Sequence, residues 1–536
     1  MALLLVLSSI VIFIIAYVTY GSWLAKKWGI DPDKETPSHT MSDGVDYVPA
    51  KAPVLLGHHF ASIAGAGPIV GPIAAAMFGW LPVFLWIIVG SIFFGGVHDF
   101  GALFSSVRNE GKSMGHVIEN TIGDRGKKLF SVFAWLTLVL VIAAFSNIVV
   151  ATFVSTPSVA TTSILFIFLA VVFGIAVNRM NIGLLPATIV GVALLFGSIW
   201  VGLQFPIEAS FNTWYAIILV YIFIASTAPV WILLQPRDYL NSFLLYAMLG
   251  GAVIGLFLYR PGLELPAVTS FKVGTSYMFP ILFVTVACGA ISGFHSLISS
   301  GTSSKQISSE KDIKLIGYGS MLIEGVLAVI AIITAAYIGA DEFQALLAEG
   351  AANNVFASGV GTFMTSFGIP FDAGKSFVAL AIAAFALTSL DSGARIGRFV
   401  FQEFFEEATK EKQTNPLTNM YVATFVTVGA GGLLGLAGWQ RVWPVFGSAN
   451  QLLAALALLA TAMYLKTHGK EYKMAVYPMI FMFLVTLTAL ILLMQANMAA
   501  GNYVLVVAGA ALFVLAIVLI KQSYHVLFGK EEDKVA

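Results

Sequence analysis

The sequence predicts an all-α polytopic membrane protein with about fifteen membrane-spanning helices. Of its 536 residues, 58% are hydrophobic and only 10% are charged, whereas soluble domains carry about 25% charged residues. Apolar runs of about 20 residues, the length that crosses a bilayer as a helix, recur along the chain. One run carries glycines and prolines at its centre, which predicts a discontinuous helix at membrane depth.

The expected spans follow from the apolar runs taken in order. The first, 2–24, lacks the basic segment of a signal peptide and exceeds the usual apolar length, so we expect a retained helix. The others are 57–79, 81–105, 129–153, 160–177, 183–203, 212–234, 242–259, 279–300, 315–339, 375–400, 417–437, 441–464, 474–495 and 501–522.

The distribution of charge predicts the orientation of these spans. With the N-terminus outside, 24 of the 28 lysines and arginines fall on the inner side; the four exceptions are Arg260, Lys272, Lys375 and Arg441. Positive residues concentrate on the cytoplasmic side, so we expect the N-terminus outside and the C-terminus in the cytoplasm. The net charge is zero, which predicts no nucleic-acid partner. The single cysteine, Cys288, excludes a disulfide within the chain.

The interrupted run, 57–79, is the first candidate substrate site. Its centre holds Gly65, Ala66, Gly67, Pro68 and Gly71. Proline removes a backbone donor and glycine weakens a helix, and lipid satisfies none of the freed backbone groups. Secondary transporters present such broken helices to substrates and coupling ions. The alternative is a kinked helix whose glycines admit a packed neighbour.

The order of the spans predicts an inverted repeat. Five spans within 57–203 form one block, and the next five, within 212–400, run in the opposite sense. The second block begins with a span that carries Ser226, Thr227 and Pro229 near its middle, where we expect a second interruption. The predicted organisation is 1–56, an extra helix and cytoplasmic linker; 57–400, a ten-helix transport core; and 401–536, accessory helices.

A stripe of hydroxyl groups follows Cys288. Ser292, His295, Ser299 and Ser303 are spaced so that they share one helix face, and Ser300 and Thr302 add two more hydroxyls. We interpret Ser292 and His295 as substrate-binding and the hydroxyls from Ser299 to Ser303 as ion-binding. The alternative is serine bonding back to its own helix.

Ionisable residues within the apolar runs form a third set. His98, Asp99, Glu324 and Asp391 are predicted to lie in the inner half of the bilayer, where charged groups mark ion paths or paired structural contacts. We expect a proton relay at His98, Asp99 or Glu324. For Asp391, an ion pair with Arg395 one helical turn later is the simpler interpretation.

A metal site is a further interpretation of the buried histidines. Its candidate ligands are His58, His59, His98 and Asp99. His58 and His59 are adjacent and point to different sides of a helix, which disfavours one compact site.

Six segments carry a specific resemblance to a known family. They are VPAKAPVLLGHHFASIAGAGPIVGPIAA (48–75), GGVHDFGALFSSVRNEGKSMGHV (95–117), LLQPRDYLNSFLLY (233–246), GAISGFHSLISSGTSSKQI (289–307), LTSLDSGARIGR (387–398) and FGSANQLLAAL (446–456). These segments resemble the carbon starvation protein A family. The resemblance implies a transporter in the cytoplasmic (inner) membrane of a prokaryote, with a leucine-transporter-like core of the amino acid/polyamine/organocation superfamily. Members of the family are associated with proton-coupled pyruvate uptake and with peptide uptake.

The function that these observations predict is secondary active transport by alternating access. The substrate is a small carboxylate or short peptide, pyruvate among them, and the coupling ion is a proton or sodium; no cofactor is expected. The partners are the substrate and the lipid bilayer, and the oligomeric state is left open. The alternative is an integral-membrane metal-dependent enzyme that uses the His/Asp residues, although GxSxG, HExxH and CxxC motifs are absent.

Overall fold

The computed structural model describes residues 1–274, 276–339, 342–343, 352–406, 416–436 and 438–529, and helices dominate it. In chain order they are α1 Ala2–Trp28, α2 Ala52–Ile63, α3 Gly67–Phe78, α4 Trp80–Arg108, α5 Met114–Ile122, α6 Asp124–Ser155, α7 Pro157–Asn178, α8 Leu184–Gln204, α9 Phe211–Thr227, α10 Leu234–Tyr259, α11 Met278–Thr285, α12 Gly293–Gly301, α13 Glu310–Tyr337, α14 Ala352–Met364, α15 Phe371–Glu406, α16 Met420–Gly435, α17 Trp439–Thr467, α18 Lys473–Ala499 and α19 Tyr503–Phe528. A small hairpin pairs β1 Lys272–Val273 with β2 Ser276–Tyr277.

Eleven helices in the described part of the chain are long and apolar enough to cross a membrane, or twelve if the bent pair α2 and α3 is one span. The remaining three predicted spans fall on shorter elements. Runs 212–234 and 417–437 correspond to α9 and α16, of 17 and 16 residues. Run 279–300 corresponds to two short helices, α11 and α12. The prediction of a predominantly helical protein with many candidate membrane spans is therefore confirmed.

Helix ends that the charge pattern assigns to one side do meet at one face of the molecule. Arg108 at the end of α4 pairs with Glu310 at the start of α13, with 2.6 Å between Nε and Oε1, and it also donates to the Gly29 carbonyl after α1. Trp28 donates through Nε1 to the Glu471 carbonyl before α18. We call this face the basic end, since the positively charged loops lie there.

Two groups of helices make up the centre of the bundle. The two longest helices, α6 and α15, pack along each other with α9 and α16 beside them. The broken helices α2–α3 and α11–α12 pack with α4 and α13. Helix α10 lies against α2, α17 lies against α12, and the α7–α8 pair packs on the side of α10. Helices α1, α18 and α19 lie at the periphery, where α1 contacts α13 and the other two contact α17.

The predicted interruption of run 57–79 is present. Helix α2 ends at Ile63, α3 begins at Gly67, and the two are bent by 41°. The interruption predicted inside run 212–234 was wrong. Ser226 and Thr227 belong to the last turn of α9, and Pro229 lies in the connection to α10, so this span is not broken at its middle.

The second break lies instead between α11 and α12, where residues 286–292 are not helical. The sequence assigned this stretch to a continuous span because it is as apolar as its neighbours and holds no proline inside the break. Its backbone is held by neighbouring side chains: Trp86 Nε1 donates to the Val286 carbonyl at 3.2 Å, and the Ser91 hydroxyl donates to the Gly289 carbonyl at 3.1 Å. Helix α4 therefore satisfies two of the backbone carbonyls that this break frees.

Two glycines allow the two broken helices to touch. A Cβ atom at Gly67 would collide with the Cys288 side chain, and one at Gly71 would lie 2.6 Å from the Thr285 carbonyl oxygen and 3.3 Å from the Val286 Cα. The atoms next to Gly71 belong to the backbone of Thr285 and Val286, which cannot move aside by changing rotamer as a side chain can. The glycines of the first broken helix thus admit a neighbour and mark the contact between the breaks.

We expect Gly71→Val to destabilise the fold by about 1–3 kcal/mol through overpacking against the second break. Gly250→Val in α10 is the matched control, because a Cβ there meets open space while the cost of valine in a helix is the same. Thermal unfolding in detergent measures the difference. Equal loss of stability in the two variants would show that the breaks do not pack tightly at this point.

Candidate substrate cavity and buried charge clusters

A cavity of about 650 Å³ lies where the two breaks meet, within the usual size range for small-molecule sites. Gly67 of the first break and Cys288 of the second lie at its inner part. It extends toward the end of the bundle opposite the basic end. Its lining is mostly apolar and comprises Gly67, Ala74, Ser276, Tyr277, Ile281, Val284, Thr285, Ala287, Cys288, Trp443, Phe446, Gly447, Ser448, Ala489, Leu492, Leu493, Gln495 and Ala496.

An asparagine of α17 organises the polar floor next to this cavity. Asn450 Oδ1 accepts from the backbone amide of Phe294 at 2.7 Å, and Asn450 Nδ2 donates to the Ser292 hydroxyl at 3.1 Å. The Cys288 thiol lies 3.5 Å from the same hydroxyl. Asn450 therefore takes one of the free amides at the start of α12. The sequence identified Ser292 but missed Asn450, although Asn450 lies within the FGSANQLLAAL segment.

The first break is held from α15. The Ser389 hydroxyl donates to the Ser62 carbonyl at 2.8 Å, and the Ser62 and Ser392 hydroxyls are 3.2 Å apart. A Cβ at Gly65 would lie 2.7 Å from the Ser389 hydroxyl, so glycine permits this close approach. The sequence missed both α15 serines. Their signal was the hydroxyl-rich segment LTSLDSGARIGR in an otherwise apolar run.

A fully buried cluster of four titratable residues lies between α4, α12 and α13. Asp99 bridges two histidines: its Oδ1 is 2.7 Å from His98 Nδ1 and its Oδ2 is 3.0 Å from His295 Nδ1. His295 Nε2 faces Glu324 at 3.6 Å. Neither Glu324 oxygen has a hydrogen-bond partner among the described residues, and the same holds for His98 Nε2. We call these residues the His–Asp–Glu cluster. His295 thus shares a site with the acids rather than with the substrate cavity.

His58 and His59 do not join this cluster. His58 Nδ1 lies 2.8 Å from Asp238 Oδ2, and His59 Nδ1 lies 2.7 Å from the Ser303 hydroxyl. Their rings point to different neighbours, as the adjacency of the two residues predicts. Across the described ranges, no three His, Cys, Asp or Glu side chains are grouped in a way that could hold a metal ion. The four candidate metal ligands are thus not brought together as one site.

The hydroxyl stripe divides into separate contacts. Ser300 donates to the Ser296 carbonyl and Thr302 to the Ile298 carbonyl, so both bond back to their own helix. Ser303 contacts His59. The Ser299 hydroxyl is buried and, within the part of the chain that the structure describes, has no partner. The hydroxyls therefore do not converge on one point.

A second buried network lies nearer the basic end and centres on Arg237 of α10. The Arg237 guanidinium contacts Asp391 of α15 and donates to Asp238 at 2.7 Å and to the Tyr221 hydroxyl at 2.6 Å. His58 of α2 contacts the other oxygen of Asp238. This Arg237 network joins the first broken helix to α9, α10 and α15.

The ion pair predicted between Asp391 and Arg395 was wrong. Asp391 pairs with Arg237, and Arg395 pairs with Asp46 of the linker at 2.8 Å. The two residues are one turn apart, but each side chain has an oppositely charged partner on another element. A signal for this network was present in the sequence, because Arg237 and Asp238 form a charged dipeptide in QPRDY at the start of an apolar run. The sequence analysis did not assign the pair a role.

Comparison with known proteins identifies the family of this chain. The family model "Carbon starvation protein CstA" matches residues 1–352 and 342–489. The chain belongs to the carbon starvation protein CstA family. It is 34% identical to a peptide transporter CstA of Escherichia coli, with 91% of this chain and 80% of that protein covered. It is 32% identical to the pyruvate/proton symporter BtsT of the same organism, with 91% and 81% covered.

The fold also resembles a solved transporter. A crystal structure of the Eremococcus coleocola manganese transporter matches with a TM-score of 0.52 and 12% identity, covering 91% of this chain and 99% of that chain. At this identity the likeness concerns the fold alone. The named relatives are transporters, and the described part of this CstA-family chain has eleven or twelve helices that could cross a membrane, so it is a multi-pass membrane protein.

We expect Cys288 to react with a membrane-impermeant thiol reagent from one side only, because it is the single cysteine of the chain and the cavity extends to one end. The reactive side should be the one opposite the basic end. Labelling in right-side-out and in inverted vesicles measures this, with Cys288→Ser as the blank. Equal labelling from both sides would contradict a cavity that is closed toward the basic end.

Proposed function

We propose that this protein is a proton-coupled secondary transporter that imports a small carboxylate, with pyruvate and short peptides as the substrates to test. The observation that carries the proposal is the meeting of two broken helices on one cavity, with the His–Asp–Glu cluster close behind the second break. The relatives named as a peptide transporter and a pyruvate/proton symporter support both the substrate class and the ion. Pyruvate and a peptide C-terminus share a carboxylate.

The helix lengths support an inverted repeat in a register that differs from the sequence prediction. The order α2–α3, α4, α6, α9 and α10 is matched by α11–α12, α13, α15, α16 and α17. Each series begins with a broken helix, and its fourth member is short, with 17 and 16 residues. In this register α7 and α8 are an insertion, and the core extends to α17 rather than ending at residue 400. Helices α9, α16 and the broken α11–α12 then complete fifteen spans.

The charge distribution supports an orientation. With the basic end in the cytoplasm, the N-terminus lies outside and the C-terminus inside. The cavity then faces outward, and the Arg237 network closes the cytoplasmic side. Alternating access requires this network to separate as the cavity closes on the outer side.

The position of His295 supports proton coupling. It lies one turn after the Ser292–Asn450 contact at the start of α12, so a proton at the His–Asp–Glu cluster changes the electrostatics beside the cavity. Two carboxylates share this cluster with two histidines, and burial makes an unbalanced charge there costly. Carboxylate binding near the start of α12 is further favoured by the positive end of the helix dipole.

Sodium coupling is the second candidate, and one observation favours it. Ser389 and Ser392 of α15 place hydroxyl oxygens beside the first break, next to the Ser62 carbonyl, and the carbonyls of interrupted helices coordinate sodium in transporters. Uptake measured under a proton gradient and under a sodium gradient distinguishes the two ions.

We expect labelled pyruvate or a labelled dipeptide to accumulate in proteoliposomes when an inward proton gradient is imposed. An inward sodium gradient of equal size should give no accumulation. The comparison is made at matched membrane potential, with empty liposomes as the control. Accumulation driven by the sodium gradient alone would favour a coupling site at Ser389 and Ser392. No uptake under either gradient would reject the transport proposal.

We expect Glu324→Gln to reduce proton-driven accumulation by about tenfold or more, which corresponds to about 1.4 kcal/mol, while substrate counterflow continues. The amide retains the size of the side chain but does not ionise, so only the coupling step is affected. Glu264→Gln, an exposed carboxylate at the opposite end from the basic loops, is the matched control. Loss of counterflow together with accumulation would indicate a structural role for Glu324 instead.

A further inference from the structure

Three cationic side chains are buried together at the basic end, below the Arg237 network. Arg395 and Arg398 of α15 are 1% and 3% exposed, and Lys305, just after α12, is 6% exposed. The Lys305 ammonium lies 3.7 Å from the centre of the Phe399 ring and 5.3 Å from that of Tyr47. We call these three residues the cation triad. Burial lowers the pKa of Lys305, against the opposing effect of the Glu403 and Asp46 carboxylates.

Among the described residues, the cation triad has fewer anionic contacts than it has charges. The Asp46 carboxylate is the one there within ion-pair distance of it: its Oδ1 is 2.8 Å from Arg395 Nη1 and 3.7 Å from Arg398 Nη2. Arg398 Nε and Nη2 and Arg395 Nε are buried and, among the described residues, lack a hydrogen-bond acceptor. Arg395 Nη2 does donate to the Ala225 and Ala228 carbonyls. The buried guanidinium nitrogens that lack acceptors, two of them on Arg398, are costly, so the site is suited to a further anion.

Asp46 is held in place by a structured linker. Asp43 accepts from the backbone amides of Val45, Asp46 and Tyr47 at 2.8 to 2.9 Å, which fixes the turn that presents the Asp46 carboxylate. Burial raises the pKa of Asp43, but these backbone amides outweigh the effect and hold the pKa below its ordinary value.

The linker also contacts two sets of helices at once, α9 and α10 on one side and α4 and α12 on the other. Toward α9 and α10, the Val45 carbonyl accepts from the Val230 amide at 3.2 Å. Toward α4 and α12, the Tyr47 hydroxyl donates to the Glu110 carbonyl at 3.0 Å, and the Ala50 amide donates to the Gln306 carbonyl at 2.8 Å. A substrate that leaves between the two sets at this end therefore passes the linker and the cation triad, which has Lys305 on one side and the arginines on the other.

We propose that the cation triad is an exit site for the carboxylate of the transported substrate, and that the Asp46 carboxylate occupies it while this end is closed. This rests on the proposed function as a carboxylate transporter. The Asp46 carboxylate and the substrate carboxylate compete for the same cations. A substrate that reaches the cation triad therefore favours the state in which the linker has moved away. The linker returns once the substrate has left, and the exit closes behind it.

The test compares Asp46→Asn and Arg398→Gln in inverted vesicles, where pyruvate is presented to the basic end. Removing the competing carboxylate should lower the half-saturating pyruvate concentration roughly fivefold, and removing a cation should raise it by a similar factor. Asp33→Asn, which removes an exposed carboxylate from the same linker, is the matched control and should change nothing. Shifts in the same direction for Asp46→Asn and Arg398→Gln, or a shift in the Asp33 variant, would overturn the proposal.

A second measurement does not require pyruvate to be the substrate. Asp46→Asn should slow the labelling of Cys288 from outside in right-side-out vesicles, because the basic end opens more readily. Loading the vesicles with sodium acetate in place of sodium chloride should slow it further, and adding Arg398→Gln should remove that effect of acetate. A Cys288 labelling rate that changes neither with Asp46→Asn nor with acetate would refute the exit site. Absence of pyruvate transport in the wild type would refute only the proposed substrate.

Discussion

The structure depends on how backbone groups are satisfied where two helices are interrupted at membrane depth. Lipid offers no hydrogen-bond partner, so each freed carbonyl or amide must find a protein group or water. Here Trp86 and Ser91 hold the second break, Ser389 holds the first, and Asn450 takes the amide of Phe294. These side chains come from α4, α15 and α17, so the packing of those helices fixes both breaks and the cavity between them.

Three sets of buried charged residues matter for the proposed transport. The His–Asp–Glu cluster lies between α4, α12 and α13, in the helix group that contains both breaks. The Arg237 network joins the first broken helix to α10 and α15, and the cation triad holds the linker. Each set crosses between helices, so the electrostatic energy of each depends on the conformation of the bundle. In our account, protonation and substrate binding act on these sets to change which end of the bundle is open.

Much of the fold could be predicted from local sequence, because apolar runs and the positions of lysines and arginines report on spans directly. The first break was also predictable, since Gly65, Gly67 and Pro68 fall together in one apolar run. The second break was not, because its carbonyls are satisfied by Trp86 and Ser91, which are distant in sequence. The same reason explains Asp391: its helical neighbour Arg395 was the evident partner, but only the packing of α10 against α15 brings Arg237 to it. Asn450 was missed because its role is to cap a helix that the sequence showed as continuous.

The most direct measurement of the central claim is the position of bound substrate in a structure determined with pyruvate or a dipeptide. The account predicts density for a carboxylate between Gly67, Cys288 and the start of α12 near Asn450. Substrate density elsewhere, with the space beside the two breaks closed by packed side chains, would contradict it.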